Sequence, residues 1–216
     1  KFKAIIFDMD GLMIDSMMHW LELDECMFEE CGLKITEDMV RHMTGKSERE
    51  NISWLNAEHG LNISGQYLDK RRMRSDEIYD KKTQLMPGIL GLIEKINKSE
   101  CKQAIASGAP LCCVKKVVDR FGWQDHFTIL VSSEDVDHIG KPDPRIFLHT
   151  AEKLGIDPKD CVVFEDAENG VVAAKRAGMM CVAVPDSRWS FGVFDEADLI
   201  VDSLEDPEVF KFLGLK

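Results

Sequence analysis

Short apolar runs alternate with amphipathic stretches along most of this chain, and that alternation constrains its fold more than any other feature. The runs are Ala4–Phe7, Gln103–Ser107, Thr128–Val131, Cys161–Phe164, Cys181–Val184 and Leu199–Val201. Ala4-Ile5-Ile6-Phe7 has no polar residue in either parity, which predicts a strand covered on both faces. Between the runs, Gly88–Lys98 carries apolar residues at 89, 90, 92, 93 and 96, and Pro110–Arg120 carries them at 111, 114, 117 and 118. Both spacings are helical. Pro144–Leu154 and Gly170–Ala177 read as further helices, the last stopped by Gly178. Strand–helix alternation of this kind predicts an α/β fold, a parallel sheet with helices on both faces.

One segment breaks the pattern. From Asp15 to Leu85 there is helical patterning, much charge, and glycine breaks at 32, 45, 60 and 65, but no convincing strand. The expectation is an all-helical cap domain, residues 15–85, inserted directly after the first strand of a core formed by 1–14 and 86–216. Pro87-Gly88 marks the return to the core. Lys70-Arg71-Arg72-Met73-Arg74 is the densest basic stretch and reads as a solvated helix face.

Composition excludes several classes of partner. The chain has 216 residues, 44% of them hydrophobic, enough for a sizeable core. Its net charge of −12 argues against binding nucleic acid or an anionic membrane by bulk charge. No apolar run approaches the roughly 20 residues of a membrane span. The first apolar segment ends at Asp8, too soon for a secretory signal, and the start at Lys1 without Met allows a processed or trimmed start. The seven cysteines include no Cys-x-x-Cys pair, and Cys112 and Cys113 are adjacent. This usage predicts a reduced, cytoplasmic protein, with Cys161 and Cys181 as small core residues. Nothing in the sequence implies a protein partner.

The chemistry lies at the ends of the runs. The first is followed by Asp8-Met9-Asp10-Gly11. Two carboxylates one residue apart repel each other and resist desolvation, a cost that a bound cation removes. Ligand sites in open α/β sheets lie at the carboxyl ends of strands. Ser107-Gly108 ends the second run, and Glu165-Asp166 follows Val162-Val163-Phe164. Lys141 lies in Gly140-Lys141-Pro142-Asp143-Pro144, where Asp143 is placed to cap the next helix. Taken singly, each of these reads as a turn, a solvated charge or a helix-terminal acid. If the strands are parallel they converge. Carboxylate oxygens suit Mg²⁺, whereas a hydroxyl, helix-terminal amides and an ammonium suit phosphate. Together they suggest phosphoryl transfer.

With these motifs in this order, the chain resembles the haloacid dehalogenase-like hydrolases. The matches are Phe7-Asp8-Met9-Asp10-Gly11, Ala106-Ser107-Gly108, Gly140-Lys141-Pro142-Asp143-Pro144 and Phe164-Glu165-Asp166-Ala167-Glu168-Asn169-Gly170. The resemblance implies a Rossmann-like core with the helical cap where the insert lies. It implies Asp8 as a nucleophile forming an aspartyl-phosphate, and Asp10 as general acid/base whose backbone carbonyl also ligates Mg²⁺. Asp166 would be a carboxylate metal ligand, and Glu165 a ligand or an acceptor behind it. Ser107 and the Gly108 amide would hold the phosphoryl oxygens, and Lys141 would neutralise the nucleophile and phosphoryl group.

Dehalogenases of the family lack the second Asp, so Asp10 disfavours dehalogenation. The chain resembles the branch of β-phosphoglucomutase and small-metabolite phosphatases, through Ser16, Gly45-Lys46-Ser47 and Glu165-Asp166. Two departures favour phosphatase over mutase. The mutase's cap His is matched by Trp20, with His19 one place early, and its phosphate-gripping Arg by Glu48, with Arg49 next. The expected substrate is a small phosphorylated metabolite, with Trp20, Lys46 and Arg74 as candidate contacts. A receiver-like signalling protein fits less well, because receivers are near half this length and lack the insert. A non-catalytic scaffold on this fold is disfavoured by the intact Asp8, Asp10, Lys141 and Asp166.

Overall fold

The computed structural model describes residues 2–63 and 65–215, without the side chains at positions 66–68 and 70. A six-stranded parallel sheet has the order β3-β2-β1-β4-β5-β6. Its strands are β1 (Ala4–Phe7), β2 (Lys102–Ser107), β3 (Ile129–Ser132), β4 (Cys161–Glu165), β5 (Met180–Ala183) and β6 (Leu199–Ile200). The predicted runs match these within a residue or two.

The strand β1 is central and buried throughout. Its alternate side chains enter two separate cores, as the two-residue period of a strand requires. Ile5 and Phe7 pack with α5 (Ile89–Asn97), α6 (Leu111–Phe121) and α9 (Pro207–Leu213). Ala4 and Ile6 pack with α7 (Arg145–Leu154) and α8 (Glu168–Arg176). The second face is lined by small residues such as Ala104, Ala106, Ala173 and Ala174, which let the helices approach closely. The helix expected from Gly170 begins at Glu168, because Ala167 is already extended and Glu168 suits the first turn.

Between β1 and α5 the insertion forms α1 (Met17–Glu29), α2 (Glu37–Met43), α3 (Glu48–His59) and α4 (Gly65–Glu77), closed by a π-helical turn, Ile78–Lys82. The insertion has no strand among the described residues, so it is a helical cap. Its own small core joins Phe28, Met39, Met43 and Leu55. The chain enters and leaves the cap through a paired crossing. Ile14 bridges Leu85 antiparallel, Asp15 N–H bonds Gln84 O at 3.0 Å, and Met86 N–H bonds Met13 O at 3.0 Å.

The loop from Thr44 to Ser47 rests on the core. Lys141 N–H donates to Gly45 O at 3.1 Å, and Asn169 Nδ2 donates to Thr44 O at 2.8 Å. Ser47 and Glu50 form a reciprocal cap on α3, and the Glu50 carboxylate also accepts the Gly140 amide at 2.8 Å. At the rim, the Arg41 guanidinium forms a forked pair with Glu168 at 2.6 and 2.8 Å.

Candidate active site

Register decides which strand ends meet. Phe7 stands opposite Ile105 on one side and Phe164 on the other. Asp8, Ser107-Gly108 and Glu165-Asp166 therefore leave the sheet at one edge, where the chain order diverges to the two sides of β1. A cleft of about 370 Å³ opens there between the sheet edge and the cap. It is lined by Asp8, Asp10, Ser107, Gly108, Glu165 and Asp166 from the core, and by Trp20, Lys46 and Arg71 from the cap.

The Lys141 ammonium is buried and lies 2.5 Å from both Asp8 Oδ1 and Glu165 Oε1. Burial alone would lower its pKa, but the charges and hydrogen bonds of Asp8 and Glu165 prevail and raise it. It is held as a cation between two carboxylates. Burial pushes Glu165 up to about 7 despite Lys141, with the Asp8 charge adding to the rise. Asp166 is pushed well above the usual carboxylate range by burial and by the charges of Asp8 and Glu165, against a hydrogen bond from Trp189. That bond is 2.8 Å, from Nε1 to Oδ2, and the Ser190 hydroxyl donates to Asp166 O at 2.7 Å.

Carboxylate oxygens of Asp8, Glu165 and Asp166 all lie within 4.8 Å of one another. One ammonium faces three buried carboxylates, so negative charge is left uncompensated. The set is made of hard oxygens, which fits a hard divalent cation. Two glycines make room for it. A Cβ at Gly170 would overlap the Glu165 carboxylate, and one at Gly11, already at φ +89°, would overlap Asp166 Oδ2.

The Asp10 carboxylate stands apart from this cluster. It accepts from the Ser16 hydroxyl at 2.6 Å, Trp20 Nε1 at 3.4 Å and the Tyr79 hydroxyl at 3.1 Å. Ser16 precedes α1 but directs its side chain to Asp10 instead of capping the helix. Burial raises Asp10 to about 6, the Asp8 charge adds to the rise, and the three donors restrain it. Two carboxylates one residue apart thus face different surroundings, one beside an ammonium and one in a ring of neutral donors.

Ser107 is buried, its hydroxyl accepting the Ala109 amide at 3.1 Å. Gly108 underlies the Lys46 carbonyl, 3.4 Å from where a Cβ would sit. Lys46 Nζ reaches His42 Nε2 at 2.7 Å. Asp143 accepts the Arg145 amide at 3.0 Å, in keeping with its expected capping role.

Arg74 does not join the site. It is exposed on α4, with Nη1 3.8 Å from Cys26 Sγ, and does not line the cleft. At about 100° per residue, Arg71, Arg72, Ser75 and Asp76 cover an arc of about 140° facing the cleft, and Arg74 falls about 60° beyond it. The basic run is therefore only partly a solvated face. Arg72 and Arg74 are exposed, the Lys70 side chain is not among those described, and Arg71 turns inward. Its guanidinium pairs with Asp24, lies 3.1 Å from Glu48 Oε1 and stacks 4.7 Å from the Trp20 ring centroid.

Tyr79, Trp189, Ser190 and Arg71 were not found from sequence. Trp189 and Tyr79 carried one usable signal: a large aromatic with a polar atom needs a hydrogen-bond partner when buried.

Residues 5–184 match the family model described as haloacid dehalogenase-like hydrolase. The chain belongs to the haloacid dehalogenase-like hydrolases. It is 32% identical over 178 residues to the phosphorylated carbohydrates phosphatase of Thermotoga maritima, covering 82% of each chain. It is 31% identical over 212 residues to the β-phosphoglucomutase of Bacillus subtilis, covering 94% of this chain and 91% of that one. The crystal structure of CbbY from Rhodobacter sphaeroides in complex with phosphate superposes with a TM-score of 0.80 at 24% identity, over 95% of this chain and 96% of that one. This hydrolase is therefore of the β-phosphoglucomutase-like branch, with an α/β core and a helical cap.

Proposed function

We propose that this hydrolase is a Mg²⁺-dependent phosphatase of a small phosphorylated metabolite, acting through an aspartyl-phosphate on Asp8. The observation that carries the reading is the contrast between Asp8, paired with Lys141 beside an acidic cluster, and Asp10, half-buried among neutral donors. The first environment sets a carboxylate oxygen beside a fixed cation at the sheet edge, where it can attack. The second raises a carboxyl into the range where it can both give and accept a proton.

Asp8 Oδ attacks phosphorus as the bond to the leaving oxygen breaks, and Asp10 protonates that oxygen. Asp10 then takes a proton from water as the water oxygen attacks the aspartyl-phosphate, releasing inorganic phosphate and freeing Asp8. Ser107, the Gly108 amide and Lys141 hold the phosphoryl oxygens. Asp8, Asp166, the Asp10 carbonyl and Glu165 are the candidate Mg²⁺ ligands, with Glu165 also the acceptor that fixes Lys141. When bound, Mg²⁺ supplies charge stabilisation at the phosphoryl group. Trp20 and Lys46 are the cap's candidate contacts, and Arg74 lies outside the cleft. Residues 15–85 act as one unit over the core of 1–14 and 86–216. No described helix is long and apolar enough to cross a membrane. The cysteines, all free, suit a reducing compartment such as the cytoplasm.

The T. maritima phosphatase and the B. subtilis mutase are similarly distant, at 32% and 31% identity, so a phosphomutase is the second reading. Hydrolysis of p-nitrophenyl phosphate that requires Mg²⁺ and is abolished by Asp8→Asn is the expected result; activity surviving both EDTA and Asp8→Asn refutes the mechanism. With β-glucose 1-phosphate and a trace of the bisphosphate, inorganic phosphate supports the phosphatase. Glucose 6-phosphate as the main product supports the mutase.

A further inference from the structure

The cap end of the cleft holds a charge cluster that the chemistry at Asp8 does not use. Arg71 is held between Asp24 and Glu48, and its Nε lies 3.1 Å from Glu48 Oε1. Its guanidinium covers the Trp20 ring at 4.7 Å. The Arg71 and Asp24 side chains are only 19% and 13% exposed, so the pair is a fixed part of the wall. Asp24, Glu48, Arg71 and Trp20 line the same cleft as Asp8 and Asp10.

The other cationic groups of the cleft each lie near an acid. Lys116 pairs with Asp76 at 2.7 Å, and Lys46 is bonded to His42 at 2.7 Å in the field of Glu50. Arg72 is exposed and lies in the field of Glu48. What this end offers in excess is acceptors. Asn51 lies three residues beyond Glu48 on α3, about 300° around the helix. Its Nδ2 donates to Met43 O at 3.0 Å, and its Oδ1 is buried with no partner among the described residues. Carboxylates that line a cleft call for O–H or N–H donors from a ligand. A second phosphate placed against Arg71 would also meet Asp24 and Glu48.

Building on the phosphatase reading, we infer that the cleft takes a phosphate monoester with a neutral, hydroxyl-bearing organic group and discriminates against a second phosphate, because Asp24 and Glu48 mask Arg71. The two acids are specificity-determining residues: they accept hydroxyls and hold the arginine.

The test measures binding without turnover. Full-length protein carrying Asp8→Asn is titrated, with Mg²⁺ present, with glucose 6-phosphate and with glucose 1,6-bisphosphate. The bisphosphate should bind at least about tenfold more weakly. Adding Glu48→Gln should cut that ratio about tenfold, and Asp24→Asn should act in the same direction, so either variant carries the test if the other fails to fold. Adding Arg71→Met to Glu48→Gln should restore the original ratio, which a general loosening of the cap would not do. Equal or tighter bisphosphate binding in the starting protein, or a ratio that neither acid substitution moves, overturns the inference. Mg²⁺-dependent phosphate release from p-nitrophenyl phosphate by the unsubstituted protein reports separately on the phosphatase reading. Its absence beside the expected binding ratios would remove that reading and leave the specificity intact.

Discussion

The Tyr79 hydroxyl donates a 3.1 Å hydrogen bond to Oδ2 of Asp10, tying the last turn of the cap to a carboxylate on the sheet edge. Tyr79 is held in turn by the core, because Arg120 on α6 donates to its carbonyl at 2.7 Å and to the Thr83 carbonyl at 2.7 Å. A donor aimed at the charged form of a carboxyl lowers its pKa. Burial and the Asp8 charge have already raised Asp10 to about 6, and Tyr79 limits that rise.

Tyr79→Phe removes the donor and should raise the Asp10 pKa above about 6. The acid form needed to protonate a leaving oxygen then persists to higher pH. The alkaline limb of kcat/KM for an alkyl phosphate should move upward, by up to about one pH unit if the lost bond is worth about 1 kcal/mol. p-Nitrophenyl phosphate, whose leaving group needs little protonation, should show a smaller displacement. A limb that stays in place, or moves down, contradicts the assignment of Asp10 as the acid.

Lys141→Met leaves the Asp8 and Glu165 carboxylates buried without their shared cation. Removing one partner of such a group costs about 3–5 kcal/mol, a drop of roughly 6–20 °C in Tm for a chain of this size. Carboxylates unpaired in the folded state hold protons more tightly there than in the unfolded chain. The variant should therefore be least stable at pH 8 and recover part of the loss at pH 5. Thermal unfolding across that range checks the sign, and equal losses at both pH values would contradict it. Phosphatase activity should be lost throughout.

Asp166→Asn should separate stability from activity. The folded protein binds the Asp166 proton more tightly than the unfolded chain does, so its ionised form destabilises the metal-free fold as pH rises. An amide keeps an acceptor for Trp189 Nε1 and removes the charge. Without Mg²⁺ at pH 8, the variant should melt about 2–8 °C higher than the parent, consistent with relief of roughly 1–2 kcal/mol. The parent should gain Tm on adding Mg²⁺, and the variant should gain little. A lower Tm for the metal-free variant would show that Asp166 contributes net stability.

Gly170→Ala tests packing against the site from behind. Its Cβ would overlap the Glu165 carboxylate, which is also bonded to Lys141. Both groups are buried, so the strain cannot pass to solvent. A loss of about 1–3 kcal/mol is expected, together with a fall in activity as Lys141 is displaced. Alanine at Gly155, which has nothing within 4 Å but a φ of +68°, should cost about 1 kcal/mol and leave activity intact.

The sequence by itself determined the sheet, the insertion and the strand-end chemistry. Runs such as Ala4–Phe7 and Cys161–Phe164 can satisfy their burial only between two layers, and Asp8, Ser107 and Glu165-Asp166 are bound to those runs by a residue or two of chain. Parallel pairing then leaves little choice about where they meet. Lys141 was legible as a motif, but its position between Asp8 and Glu165 depended on how its loop folds back.

What surrounds the carboxylates was decided only by the tertiary structure. Tyr79 and Trp189 reach Asp10 and Asp166 across 69 and 23 residues of chain, and no local pattern encodes such a return. The basic run shows the same limit within one helix. Arg71 and Arg74 look equivalent in sequence, yet a helical step of about 100° per residue turns one into the cleft and the other to solvent. The charge that Arg71 presents there depends on Asp24 and Glu48, brought from α1 and α3 by the packing of the cap. Backbone pattern follows from short-range hydrophobic periodicity, whereas the electrostatic environment of a side chain is the sum of groups that only the finished fold assembles.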